Sequence, residues 1–161
     1  MAVATDQSKN RVLKLNENIS SYSGLSFRTK IWKNSIFVFQ ESSLFGHGLY
    51  LSQDKLMNQY IKTNFRRGYI YNLNTHNQYL FIWLSSGIIG FITFIAILFY
   101  YFKKSLQFKD EVMFSILVLY SFTFLFENVL SRQSGVIFFC FIINYFLWNN
   151  FNKKKVLSTH E

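Results

Sequence analysis

An uncharged run of 23 residues, at positions 80–102, constrains the fold of this chain more than any other feature of its sequence. A helix needs about 20 apolar residues to cross a hydrocarbon core of about 30 Å, and this run is longer. Proline, which would kink or break a helix, is absent from all 161 residues of the sequence. The run therefore predicts a transmembrane helix over residues 80–102.

Two shorter apolar runs follow it. Residues 112–130 predict a second transmembrane helix, provided that the stretch from Glu127 onward lies at a membrane interface. Residues 135–151 predict a third, bounded by Arg132 on one side and by Lys153 to Lys155 on the other. We expect an all-α membrane protein with three transmembrane helices, preceded by a large outer loop with amphipathic helices.

The placement of lysines gives the three helices a direction. Lys103, Lys104 and Lys109 belong to the connection at 103–111, and a second lysine group belongs to the tail at 152–161. Lysine and arginine close to span ends are retained in the cytoplasm. We therefore expect both lysine groups to be cytoplasmic, whereas residues 1–79 and the short turn at 131–134 lie outside.

The outer segment carries ten basic and four acidic residues of a chain whose net charge is +9. Placed outside, this charge suits anionic membrane lipids, and we expect no nucleic-acid partner. The polar stretch at 1–23 has no hydrophobic core of the kind that begins a signal peptide. We therefore expect the natural protein to be longer, with upstream helices that export this segment.

Three local patterns stand out in the outer segment. Apolar residues between Phe27 and Phe39 predict an amphipathic helix, and the Gly46-His47-Gly48 sequence predicts a break after it. His76 lies just before the long apolar run, where it can accept a proton near neutral pH. Taken alone, His76 is more simply a polar residue at the interface.

Together these patterns resemble the C-terminal half of the O-antigen ligase and polymerase superfamily. The resemblance is carried by the order Ser26-Phe27-Arg28 with Trp32, then Leu44 to Gly48, then His76-Asn77 leading into a helix with Gly87 and Gly90. The stretch from Phe126 to Gly135 is similar to the closing hairpin of bacterial members. Without the resemblance, Gly87 and Gly90 are simply close-packing positions between membrane helices.

The resemblance implies a multi-spanning enzyme of the bacterial inner membrane with a catalytic periplasmic loop. Its donor would be a glycan linked to undecaprenyl diphosphate, its acceptor another glycan or the lipid A core, and it would use no metal or other cofactor. The motifs do not separate a ligase from a polymerase. Members of the family have many more spans, so this chain could also be an inactive part or a small non-catalytic subunit that binds lipid or partner helices.

By match to the family motif, His76 is the candidate base and Arg28 the candidate cation for the diphosphate. Removing the acceptor proton suits a histidine, and the planar guanidinium fork suits a diphosphate. Asn77, beside His76 in the motif, is a candidate substrate-binding residue.

Three further residues are substrate-binding candidates by charge and position. Arg66 and Arg67 lie close to the membrane, where a solvated or lipid-headgroup role fits them equally well. Glu127, at the outer boundary of the second span, could orient His76 or Arg28, or cap the third span.

Overall fold

The computed structural model describes residues 24–158, which form helices and no strands. The helices are α1 (Gly24–Glu41), α2 (Leu49–Lys62), α3 (Arg66–Ile70), α4 (Gln78–Phe108), α5 (Glu111–Thr123) and α6 (Gln133–Ser158), with a 3₁₀ turn at Val129–Ser131. The expected all-α architecture is confirmed over this range. The polar stretch at 1–23 lies outside the described residues.

Helix α4 contains a sharp bend at Gly87, whose backbone is left-handed with φ 66° and ψ −167°. Aromatic rings from both sides of the bend meet: the ring centroids of Trp83 and Phe91 are 5.5 Å apart, and those of Tyr79 and Phe94 are 5.9 Å apart. Residues 78–86 therefore fold against residues 88–108. The run that predicts one transmembrane helix over residues 80–102 thus forms two helical halves.

The loop before α2 supplies the hydrogen bonds that the bent helix loses. The amides of His47 and Gly48 donate to the carbonyls of Leu84 (3.0 Å) and Ser85 (2.8 Å). The amide of Ile88 donates to the Ser43 carbonyl at 2.9 Å. A broken apolar helix is tolerated only where such groups are satisfied by protein. The Gly46-His47-Gly48 break and the Gly87 bend therefore form one structural unit.

Two apolar clusters hold the described chain together. The first joins α1, α2, the residue before α3 and the first half of α4 through Ile31, Val38, Leu56, Tyr60, Phe65 and Leu84. The second joins the second half of α4 to α5 and α6 through Leu98, Met113, Leu117, Phe124, Phe139 and Ile143. Helix α1 thus buries Ile31 and Val38 against protein, whereas its Ile36 and Phe37 stay exposed.

Two described helices, Gln78–Phe108 and Gln133–Lys155, are long and apolar enough to cross a membrane. Helix α5 is shorter: its 13 residues span about 20 Å at 1.5 Å per residue. The predicted second span at 112–130 is thus not one helix. The chain leaves the helix after Thr123 because the Phe124 carbonyl accepts from the Gln78 amide, at 2.8 Å.

The two lysine groups lie at the same end of the helices. Asp110 caps α5 by accepting from the Met113 amide at 2.9 Å, and it also accepts from the Asn150 side chain at 2.6 Å. Lys104 Nζ lies 5.4 Å from the centroid of the Phe151 ring. These contacts bring the α4–α5 connection to the end of α6, and the hairpin that follows α5 lies at the opposite end.

Candidate functional site

The candidate site begins with the turn that leads into α4. His76 has a left-handed backbone with φ 44°, which is uncommon for a residue other than glycine. Its amide donates to the Asn74 side-chain oxygen at 3.0 Å, and the Asn77 side chain caps α4 by accepting from the Leu80 amide at 3.0 Å. Asparagine supports both features, because it hydrogen-bonds nearby backbone in turns and at helix starts.

This turn is bonded to the hairpin that follows α5. The side-chain oxygen of Asn128 accepts from the Asn77 amide at 2.8 Å and from the Thr75 hydroxyl at 3.1 Å. The Leu130 amide donates to the Gln78 side-chain oxygen at 2.8 Å. Asn128 and Thr75 are almost fully buried, at 2% and 1% exposure. The hairpin and the turn therefore form one rigid support.

The support places a carboxylate between two basic side chains. His76 Nδ1 lies 3.6 Å from Glu127 Oε2, and an Arg132 guanidinium nitrogen lies 3.0 Å from Glu127 Oε1. The side chains of His76 and Glu127 are about one-third exposed, at 30% and 36%, whereas Arg132 is 72% exposed. The imidazole is thus held by protein and still open to a ligand.

Arg28 reaches the same hairpin from α1. Its guanidinium carbon lies 5.4 Å from the centroid of the Phe126 ring, within the range of a cation–π contact. The Trp32 indole nitrogen, one helical turn further along, donates to the Thr75 carbonyl at 3.1 Å. Arg28 and His76 therefore contact two consecutive residues of the hairpin, Phe126 and Glu127.

The other predicted site residues differ in what their side chains do. Asn77 is 7% exposed, and both its polar atoms are used: its oxygen caps α4, and its nitrogen donates to the Leu125 carbonyl at 3.1 Å. Arg67 lies over the Phe27 ring, 4.6 Å from its centroid, and Arg66 is exposed at the start of α3. The Asn77 side chain therefore holds the fold together, and neither of its polar atoms is open to a substrate.

Asn128, Thr75 and Arg132 are not among the predicted site residues, although the family resemblance covers Asn128 and Arg132 within the stretch from Phe126 to Gly135. A buried hydrogen bond between distant turns has no periodic pattern, so hydropathy does not single out Asn128 or Thr75. Arg132 bounds the third apolar run in the sequence, and its ion pair with Glu127 follows only from the fold. Within residues 24–158, no group of three or more His, Cys, Asp or Glu side chains could hold a metal ion.

These helices and this site define a helical membrane protein that carries a histidine, a carboxylate and arginines at one end of its apolar helices. A family model described as O-antigen ligase matches residues 1–95, and the chain belongs to that family. The match includes Arg28 and His76 and ends within α4, before the hairpin with Glu127.

One relative among curated proteins is an uncharacterized protein of Haemophilus influenzae. It is 28% identical over an alignment of 151 positions, which covers 84% of this chain. The chain spans 38% of the length of that relative. No solved structure matches the chain.

Proposed function

We propose that this chain is part of an O-antigen ligase-like membrane glycosyltransferase that transfers or polymerises a glycan from an undecaprenyl-diphosphate donor. One observation carries the proposal: Arg28 and His76, from separate segments, converge on the adjacent hairpin residues Phe126 and Glu127. A base for the acceptor hydroxyl and a cation for the leaving diphosphate are the two groups that this transfer requires.

In this mechanism His76 removes the proton from the acceptor hydroxyl. The Nδ1 atom faces Glu127 at 3.6 Å, so Nε2 is the nitrogen directed to the acceptor. As the acceptor oxygen bonds to the anomeric carbon, the bond from that carbon to the diphosphate oxygen breaks and the proton passes to Nε2. Glu127 stabilises the imidazolium that forms. General base catalysis of this kind is worth about a hundredfold to ten-thousandfold.

Arg28 stabilises the charge that develops on the leaving diphosphate. Its contact with Phe126 holds the guanidinium beside the hairpin at 5.4 Å from the ring centroid, and two of its N–H groups can bind one phosphate. We assign Arg67 and Arg66 to the outer part of the same anionic ligand. Asn77 acts as a positioning residue, because its side chain fixes the start of α4 beside His76.

We place the site at the periplasmic face of the bacterial inner membrane. Both lysine groups lie at the end opposite the site, and lysines at span ends favour the cytoplasm. The acceptor is a second glycan or the lipid A core, and membrane lipids surround the helices. Because the relative is much longer than this chain, we assign the remaining donor contacts to further transmembrane helices.

The test replaces His76 by alanine and measures glycan transfer in cells by gel analysis of surface polysaccharide. We expect a loss of about a hundredfold or more with membrane insertion unchanged. His47→Ala is the matched control, because His47 contacts the Val38 carbonyl of α1 at 2.9 Å and lies outside the site. Full transfer in cells that carry the inserted His76→Ala protein would reject His76 as the base.

A further inference from the structure

Large apolar side chains are exposed beside the Gly87 bend. They come from the end of the loop and the first turn of α2: Leu44 is 61% exposed, Phe45 75%, Leu49 73% and Tyr50 81%. We call these four residues the loop patch. Exposed apolar residues that are neighbours, rather than scattered singly, mark an interaction site.

The loop patch is fixed to the beginning of the second half of α4. Three backbone hydrogen bonds of 2.8–3.0 Å join residues 43–48 to residues 84–88. A Cβ atom on Gly87 would lie 2.2 Å from the Leu44 carbonyl oxygen, so the two backbones are in direct contact. The patch therefore lies beside the first turn of residues 88–108.

The length of the second half of α4, residues 88–108, indicates what covers the loop patch. Its uncharged part, residues 88–102, has 15 residues and spans about 22 Å at 1.5 Å per residue. A hydrocarbon core is about 30 Å thick, and a short apolar stretch costs free energy unless the bilayer thins or other apolar surface completes the width. The loop patch, attached to the first turn of residues 88–108, lies where it can add to the apolar width of this short stretch.

The chemistry of the loop agrees with a lipid environment. No Asp, Glu, Lys or Arg occurs from residue 42 to residue 53. Tyr50 has an apolar ring with a polar tip, which suits the boundary between acyl chains and headgroups. We propose that the loop patch inserts into the lipid bilayer on the side where residues 88–108 begin, and so anchors the helices of the site to the membrane surface. This inference is independent of the proposed glycosyl transfer.

The experiment uses spin labels on single cysteines in phosphatidylethanolamine and phosphatidylglycerol vesicles. The chain contains one cysteine, Cys140, which is exposed on the apolar α6 and serves as the lipid reference. In a Cys140→Ser background, Phe45→Cys and Tyr50→Cys report on the patch. Asn58→Cys, exposed among charged neighbours on α2, is the water reference. Power saturation then compares collisions with oxygen, which favours lipid, and with a water-soluble nickel complex.

We expect labels at positions 45 and 50 to collide more with oxygen than with nickel, as the label at Cys140 does, and the label at Asn58 to show the reverse. Preferential collision with nickel at both patch positions would overturn the proposal. So would low accessibility to both reagents, which indicates a protein partner. A second measurement, on Phe45→Trp, keeps the native apolar character. Brominated lipid should quench its added fluorescence, and an absence of quenching would count against insertion.

Discussion

At the residue scale, Asn128 is expected to hold His76 in place. Its side-chain oxygen accepts from both Asn77 and Thr75, and each buried donor left without a partner costs about 1–3 kcal/mol. Asn128→Leu should therefore loosen the turn at His76, whereas Asn128→Asp keeps the acceptor. We expect diethylpyrocarbonate to modify His76 faster, relative to His47, in Asn128→Leu.

The matched control for this change is Asn150→Leu. Asn150 is also buried, at 8% exposure, and donates to Asp110 at the other end of the helices. Asn150→Leu should lower the thermal stability of the protein and leave the ratio of His76 to His47 modification unchanged. An unchanged ratio in Asn128→Leu as well would show that Asn128 does not position His76. The modification ratio can be measured without transfer activity. It therefore tests whether Asn128 positions His76 independently of whether His76 acts as a base.

Glu127 gives a second prediction at this scale. Glu127→Gln removes the charge that stabilises the protonated His76, and we expect glycan transfer to fall by between about tenfold and a hundredfold. A buried carboxylate that orients a histidine can be worth about ten-thousandfold, but Glu127 is 36% exposed and 3.6 Å away. Arg132→Gln is the control, with a change of up to about fivefold because exposed ion pairs are worth about 0–1 kcal/mol. Equal losses in both variants would contradict a specific role for Glu127.

At the scale of elements, the bend in α4 depends on Gly87. Alanine at φ 66° and ψ −167° is strained by about 1–3 kcal/mol, and its Cβ would also clash with the backbone of Leu44 and Gly46. Gly48 is the matched control, because it has φ 80° but nothing within 4 Å of its Cβ position. We expect Gly87→Ala to lower the melting temperature in detergent much more than Gly48→Ala. Similar shifts would mean that the contact between loop and bend contributes little.

The elements themselves followed well from the sequence, but their shape did not. The long apolar run, the amphipathic α1 and the break at Gly46-His47-Gly48 are local features, so hydropathy, periodicity and glycine placement predict them. The bend at Gly87 arises from a contact between residues 43–48 and 84–88, and hydropathy is the same on both sides of it. The early end of α5 at Thr123 has the same kind of cause, since Gln78 and Asn77, which lie outside the second apolar run, bond Phe124 and Asn128 of the hairpin.

At the scale of the whole molecule, the site depends on which segments meet. The family motif predicts His76 and Arg28 as site residues, and the fold brings them to adjacent hairpin residues, Glu127 and Phe126. Their roles in transfer stay predictions. Asn128 and Arg132 enter the site only through folding, because one is a buried hydrogen-bond acceptor and the other pairs with a carboxylate five residues away. Composition therefore predicts the membrane class of the protein, whereas the tertiary contacts determine the geometry of the site.

The same arrangement makes a prediction about the two faces of the membrane. Lys55 and Lys62 belong to α2, beside the site, whereas Lys103, Lys104 and Lys109 lie in and after the end of α4. A membrane-impermeant amine reagent added to spheroplasts should therefore modify the first pair and spare the second group. Lys153 to Lys155 should be spared too, since the end of α6 lies against the α4–α5 connection.

Permeabilised membranes provide the control for this experiment, because all of these lysines should react there. Protection of the α4 lysines in unbroken spheroplasts, followed by reaction after permeabilisation, would place the His76 end in the periplasm, where the proposed donor and acceptor meet. Reaction of the α4 and α6 lysines in unbroken spheroplasts would reverse the orientation and exclude transfer at the periplasmic face. If only one of the two lysine groups were protected, the α4–α5 connection and the end of α6 could not lie on the same side of the membrane, as the hydrogen bond between Asn150 and Asp110 requires.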